Sequence, residues 1–453
     1  MTHIESHPRS RRGRGRAARV LAAAVAAAAI AACNPDRVLK VQDIDIVEPG
    51  ALTGKGALPT ILNSTLANFQ IAYSGGADLS NGGHEGQVNI AGLLSDELEH
   101  AETFPDRLNI DMRNIQPGNG SGKTLFLDLS TARAFADFAS RRFNEFDQGG
   151  AGHAEVLAIG GYSYLLFGEN YCSGVPISTM NDDGSLTFGQ PQTRDQLLQV
   201  AVAKFDSAIT YAGANGEDDI GFLAQVGKGR AMLDLGQFLG AAQAVAGVPT
   251  GFDFIIAGSA NSTRQNNGIW NYTINFPGFS VSDREGGNGL PFASAGDPRV
   301  PSFDTGDVGF DGETPFIAQQ KYPKLDSDVS LASGTEARLI EAEAALRAGD
   351  NTSFLATLNA LRTGGGLAPV ALPATAAARL DLLFDERAEW LYLTSHRLGD
   401  LRRLVRQYGR AQDAVFPTGA YHKGGNYGSD VNLPVSADEK NNPNFTACTD
   451  RNA

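Results

Sequence analysis

The stretch PGNGSGKT, residues 117 to 124, sets a glycine, a lysine and a threonine in the order a phosphate-binding loop uses. Such a loop is written G-x-x-x-x-G-K-[ST] and follows a strand, so that free backbone amides surround the phosphate. Gly122, Lys123 and Thr124 fit, but Pro117 stands where the first glycine belongs, and no apolar strand precedes it, only NIDMRNIQ. These residues therefore read as a flexible turn ahead of a helix. SDELEH gathers Asp96, Glu97, Glu99 and His100, types that could hold a metal, yet no second group of ligands accompanies them. His84-Glu85 lacks the second histidine of a zinc helix. No nucleophile elbow occurs, and nothing singles out a carboxylate pair for glycoside cleavage, whose spacing is set in three dimensions. No catalytic residue, metal or cofactor is expected.

A binding face remains. The loop NNGIWNYTINFPGF carries Trp270, Tyr272, Phe276 and Phe279 among Asn267, Asn271 and Asn275. Sugars present apolar C–H faces rimmed by hydroxyls, which flat rings and planar amides complement. Trp270, Asn271, Tyr272 and Phe279 are thus candidate ligand contacts. The same rings could instead pin a long loop to the body, and the sequence leaves both readings open.

These residues need a scaffold and an address. Arg9, Arg11, Arg12, Arg14, Arg16 and Arg19 precede an unbroken apolar run, Val20 to Ala32. A basic start, a short apolar stretch and a small-residue exit make a signal peptide over residues 1–32; the run is too short to span a bilayer, which takes about 20 residues. The exit Ile30-Ala31-Ala32-Cys33 resembles the lipobox of bacterial lipoproteins. That resemblance implies acylation of the Cys33 thiol, cleavage before it and a firm membrane anchor, since several acyl chains hold where one binds marginally. Asn34 is not the aspartate that retains many lipoproteins at the inner membrane, which points to the outer one. Cys172 and Cys448 are then the remaining cysteines, and in an exported chain they are expected to form one disulfide.

Residues 33–453 hold 31 of the 37 basic and 50 of the 51 acidic side chains, a net charge of −19. This argues against nucleic acid as a partner and against a basic membrane-binding patch. Glycine, at 53 residues, exceeds the usual share of about 7% and clusters with Asn, Ser and Asp, a sign of long ordered loops.

Periodicity divides the mature chain into an extended lead-in (33–60), a helical part (61–255), a loop-rich insertion without helical period (256–334) that is the candidate ligand region, and a C-terminal helical part with a tail (335–453). Helices are predicted over 124–146, with Leu127, Ala132, Phe135, Phe138 and Phe143 on one face, over 153–170, and over 193–213, where Thr193 and Gln196 make a capping box. Two more follow up to Pro249, broken near Gly236, then a hairpin over 336–362 turning at Gly349-Asp350, and a helix over 376–408. Ala201, Phe205 and Ala208 have the A-x3-F-x2-A spacing of a tetratricopeptide repeat. The expected fold is mainly α: tetratricopeptide-like hairpins in a right-handed superhelical scaffold, with long irregular loops and few short strands.

The stretch FDERAEWLYLTSHRLGDLRRL, with Glu386, Arg387, Trp390, Tyr392, His396, Arg397, Asp400, Leu401, Arg402 and Arg403, resembles the C-terminal signature of the SusD/RagB family, the starch-utilisation-type lipoproteins. VNLPVSADEKNNPNF, through Leu433, Pro434, Glu439, Asn442 and Pro443, is similar to that family's closing segment, and GENYCSGVPIS fits its pattern after the second helix. Read locally, HRLGDLRRL is a solvated helix face with Asp400 pairing Arg397 and Arg403 at i±3, and His396 is a structural hydrogen-bonder. The resemblance implies a lipid-anchored outer-membrane protein that captures an oligosaccharide, or in some members a peptide, and delivers it to a TonB-dependent, SusC-type β-barrel transporter without breaking a bond. A helical-repeat adaptor for envelope assembly and a lipid-anchored hydrolase are the alternatives.

Overall fold

The structure, a computed structural model, describes residues 53–78 and 83–453. The expected signal peptide, residues 1–32, and Cys33 fall outside the described residues, as does most of the lead-in. Helix α1 (Leu58–Ser74) begins slightly ahead of the boundary drawn at 61, with Pro59 in its first turn. Two short elements without clear periodicity follow, α2 (Gly86–Leu94) and α3 (Pro105–Asp111), separated by strand β1 (Leu98–His100).

Helix α4 (Gly120–Phe146) starts earlier than predicted. The glycine-rich stretch is its first turn, not a flexible loop, because the Asn119 side chain accepts the Gly122 amide at 2.8 Å and so caps the helix. Lys123 is paired with Asp438 at 2.7 Å. The buried face of α4 runs through Leu125, Leu129, Ala132, Phe138 and Phe143, whereas Leu127, expected inside, is 45% exposed.

The scaffold continues as α5 (His153–Asn170), α6 (Arg194–Asn215), α7 (Asp218–Asp234) and α8 (Phe238–Val245), each packed on the one before. Short connections make such neighbours antiparallel hairpins. Thr193 caps α6 with the full box: its hydroxyl accepts from Gln196 N–H at 3.2 Å, and the Gln196 side chain accepts from Thr193 N–H at 2.8 Å. Phe205, the aromatic of the repeat-like spacing, is buried between Gly161 of α5 and Gly227 of α7. A Cβ at either glycine would come within 2.6 Å or less of its ring, so the helices close around Phe205 only because both positions lack one. A second hairpin, α10 (Gly334–Arg347) with α11 (Asn351–Gly364), extends the stack through contact of α10 with α8.

Every sheet among the described residues is an antiparallel pair of strands. Between β1 and α8 lie the small pairs β2 (Val175–Pro176) with β5 (Pro191–Gln192) and β3 (Thr179–Met180) with β4 (Leu186–Thr187). β6 (Asp253–Ile256) pairs with β10 (Val329–Ser333), so the insertion enters and leaves the body side by side. Within it are a one-turn helix α9 (Gly268–Trp270), strand β7 (Phe279–Val281) and a hairpin of β8 (Ser302–Val308) and β9 (Pro315–Gln319). β7 pairs with β1, His100 opposite Phe279, which stitches the insertion to the first half of the chain.

The single helix expected over 376–408 is two, α12 (Ala376–Trp390) and α13 (Arg397–Arg406). Leu393 and Ser395 take positive φ and break it. The freed backbone groups are satisfied across the fold: Leu393 N–H donates to Glu97 Oε1 at 2.8 Å, and the carbonyls of Leu393, Thr394 and Ser395 accept from Tyr322, Tyr73 and Arg230. HRLGDLRRL is not a solvated face, since residues 397 to 404 are buried. Asp400 does bond Arg403 at 2.7 Å, but its other partner is Arg387, at 2.8 and 2.9 Å, and Arg397 instead grips Asp96 through two bonds of 2.5 and 2.7 Å. His396 lies against Arg230 Nη1 at 2.9 Å and Thr394 Oγ1 at 2.8 Å, and burial, then Arg230, hold its ring below its ordinary pKa despite Glu336 at 3.0 Å. It is a structural group.

Cys172 and Cys448 are joined, with Cα atoms 5.7 Å apart. The tail beside the bond is hydrogen-bonded to residues 172 and 173, through Leu433, Thr449 and Asp450.

Candidate ligand site

The loop carrying Trp270 is built from its caps outward. Asn267 Oδ1 accepts Trp270 N–H at 2.8 Å and starts α9, while the other end of the Asn267 amide donates to Ser327 O at 2.9 Å. Gly268 sits against α1: a Cβ there would lie 2.6 Å from Ser74 O and Gly76 N. The chain then widens into a π-helical turn, Asn271–Asn275, closed by Phe276 N–H on Asn271 O at 2.8 Å. Such turns are rare and often sit at functional sites.

This turn forms one wall of a cavity of about 690 Å3, within the roughly 300–1,000 Å3 range of ligand pockets. Trp270, Asn271, Tyr272, Asn275 and Phe276 line it from the loop, and Phe104, Arg107, Ala77, Thr263, Asn266 and Leu325 complete it. Of the four candidate contacts, Trp270, Asn271 and Tyr272 come together at the cavity. Phe279 does not line it. Fully buried at 0% exposure, it stacks beneath Tyr272 with ring centroids 5.4 Å apart. Tyr272 and Asn271 are themselves only 2% and 6% exposed, so they shape the wall, while Trp270 and Phe276 are half-buried and present ring surface. The loop thus does both things the sequence left open: its inner rings pin it and its outer rings face the cavity.

Arg107 was invisible to sequence reasoning because nothing links residue 107 to residue 272 except folding. Its guanidinium lies over the Tyr272 ring at 4.7 Å and Phe104 at 5.0 Å. It is held by Glu85 at 2.7 Å, by both Glu102 oxygens at 2.9 Å, and touches Tyr272 Oη at 3.3 Å. Ser121, from the glycine-rich turn, donates to Glu85 at 2.8 Å. Burial pushes the Glu102 carboxyl up, to about 7, against the opposing pull of Arg107. Burial opposes the Arg107 charge too, but Glu85 and Glu102 outweigh it and keep the guanidinium protonated.

The acidic motif SDELEH is committed elsewhere: Asp96 to Arg397, Glu97 to the Leu393 amide, and His100 Nδ1 to Lys423 at 2.9 Å. His84 pairs with Asp128 at 2.7 Å. Among the described residues no cluster of three or more side chains suits a metal, and no helix is long and apolar enough to cross a membrane. The described cavity lining contains rings, side-chain amides, the hydroxyls of Thr263 and Tyr272 and one neutralised guanidinium, and no nucleophile beside a base.

No protein-family model matches the sequence, and no curated protein sequence matches it significantly. Solved structures do match in fold. A SusD superfamily protein from Parabacteroides distasonis superposes with a TM-score of 0.65 at 13% identity, over 87% of this chain and 99% of that one. A laminarin binding SusD-like protein gives 0.64 at 15% identity, over 88% and 99%. A SusD superfamily protein from Bacteroides vulgatus gives 0.59 at 14% identity, over 87% and 98%. The chain therefore has the fold of the SusD superfamily, mainly helical with few short strands.

Proposed function

We propose that this chain captures an oligosaccharide in the cavity beside Trp270 and passes it to a TonB-dependent β-barrel transporter of the SusC type. In this reading lipid on Cys33 moors it to the outer membrane, at the cell surface. The observation that carries the proposal is the cavity itself: exposed ring surface of Trp270, Phe276 and Phe104 beside the amides of Asn266, Asn271 and Asn275, on a SusD-type scaffold. Structures of the same fold are described as binding laminarin and as carbohydrate binding, which supports sugar as cargo. Rings take the C–H faces, amides take the hydroxyls, and release intact is all that delivery requires.

Calorimetric titration with an oligosaccharide panel tests the capture step. Trp270→Ala should weaken binding of any positive ligand about tenfold, as removal of an aromatic anchor does; an unchanged affinity would retire the site. The anchor is tested separately by Cys33→Ser, which should release the protein from envelope fractions. Delivery is tested by detergent pull-down from native membranes, where the absence of a β-barrel among co-purifying proteins would count against it.

A further inference from the structure

The charge around the cavity narrows the cargo. Among the described lining residues Arg107 alone is ionisable with a charge at neutral pH, and two carboxylates already claim it. Arg264, next to lining residue Thr263, donates to Asn68 Oδ1 at 3.2 Å, on the side of α1. An anionic ligand would therefore leave water for a cavity whose described lining offers it no unclaimed cation, a transfer that costs several kcal/mol when a charge is left unpaired. The net charge of −19 on residues 33–453 adds repulsion at longer range.

A second observation concerns length. The aromatic lining does not stop at the cavity rim. Phe276 meets Phe310, at the turn between β8 and β9, with ring centroids 4.8 Å apart, and Phe310 is 54% exposed. An exposed ring on a loose loop would be unremarkable, but this turn is held. Phe310 N–H donates to Pro277 O at 3.0 Å and Asp311 N–H to Ala101 O at 3.1 Å. Asp311 pairs with Lys423, which also donates to Glu102 O at 3.0 Å. Gly309 packs so closely on Ala101 that a Cβ would lie 2.4 Å from its carbonyl oxygen. The ring is thus fixed in place before any ligand arrives, and little ordering entropy remains to be lost on stacking.

Resting on the glycan-binding reading above, we infer that the ligand is an uncharged oligosaccharide long enough to cross the rim, that Phe310 is its outer stacking platform, and that glycans bearing carboxylates or sulfates are rejected. The platform sets preference for chain length, and the neutralised wall sets preference for charge.

Titration of the mature chain with neutral gluco-, manno- and xylo-oligosaccharides, from disaccharides upward, and with oligogalacturonides of matched length, tests both parts. At least one neutral series should bind, with affinity rising with length, and the oligogalacturonides should bind at least about tenfold more weakly. Phe310→Ala should weaken the longer neutral ligands roughly fivefold, in the range of one aromatic contact, and leave disaccharide affinity and the unfolding midpoint unchanged. Equal or tighter binding of oligogalacturonides that is lost in Trp270→Ala would overturn the charge inference while leaving the glycan site standing. Equal affinities of Phe310→Ala and the parent for long chains would overturn the platform. Binding of no glycan at all would defeat the underlying reading, and this inference with it.

Discussion

Two regions of the molecule handle charge in opposite ways. Around α13, guanidinium and carboxylate groups are buried in number and most are ion-paired, Arg397 with Asp96, Arg387 and Arg403 with Asp400, Arg403 with Glu343 and Arg230 with Glu169, while Arg402 donates to the Glu169 carbonyl. Around Trp270 one ion cluster, Glu85–Arg107–Glu102, lies against aromatic rings, and apart from Arg107 and Thr263 the described cavity lining is aliphatic, aromatic or amide. The first region uses charge to join segments far apart in the chain, as Arg397 does with Asp96, 301 residues away. The second covers its charge with rings and leaves ring faces and amides at the cavity. The comparison teaches that conspicuous charge in this sequence marks the frame, whereas the candidate site is carried by rings and amides.

Breaking the frame should have the largest effect. Asp400→Asn leaves Arg387 and Arg403 buried with their shared anion gone, and should lower unfolding free energy by about 3–5 kcal/mol. Denaturant unfolding measures it, and a loss under about 1 kcal/mol would mean the network contributes little. Gly268→Ala comes next. Its methyl would strike the backbone of α1, costing roughly 1–3 kcal/mol by overpacking, and glycan affinity should fall with it because the π-turn is displaced. Trp270→Ala should do the reverse, weakening binding about tenfold while the half-buried position limits the stability change to about 1 kcal/mol. If Asp400→Asn impaired binding in fully folded protein while Trp270→Ala did not, the division of roles would fail.

The smallest effect sharpens the frame through pH. Glu97 is pushed up to about 8, by burial first, with the Leu393 amide and Arg397 pulling the other way. An unfolded chain releases that proton near 4.5, so between about 4.5 and 8 the folded chain holds more protons and this group makes stability fall as pH rises. Glu97→Gln should flatten that slope in thermal unfolding measured across the window; an unaltered slope would show that Glu97 is not the group responsible.

Much of the scaffold was legible because its signals are local. Thr193 and Gln196 fix the start of α6 within four residues, and Gly349-Asp350 marks the turn between α10 and α11. The start of α4 was hidden because Asn119 caps a glycine-rich turn whose composition imitates a loop. The break after Trp390 was hidden because tertiary bonds to Glu97, Tyr322 and Arg230 outweigh a helical pattern. Of the cavity, the half contributed by Trp270, Asn271 and Tyr272 could be read from aromatic and amide spacing. Phe104 and Arg107 could not, since Arg107, which also lies over Phe104, meets Tyr272 only once β1 lies beside β7. The same distance explains why Arg397 was assigned to Asp400 instead of Asp96.

The clasp of β6 on β10 defines a unit of exchange. Because the chain departs and returns at one antiparallel step, the exposed loops within residues 257–328 could change in length or composition, provided that Gly268 against the end of α1, Arg299 on Glu386 and Tyr322 on the Leu393 carbonyl are kept. A working transplant would also have to carry residues 98–107, whose strand and arginine complete the far wall. The cavity wall is then exchangeable as two segments rather than as scattered point changes, so long as the anchors that tie those segments to the helical body travel with them.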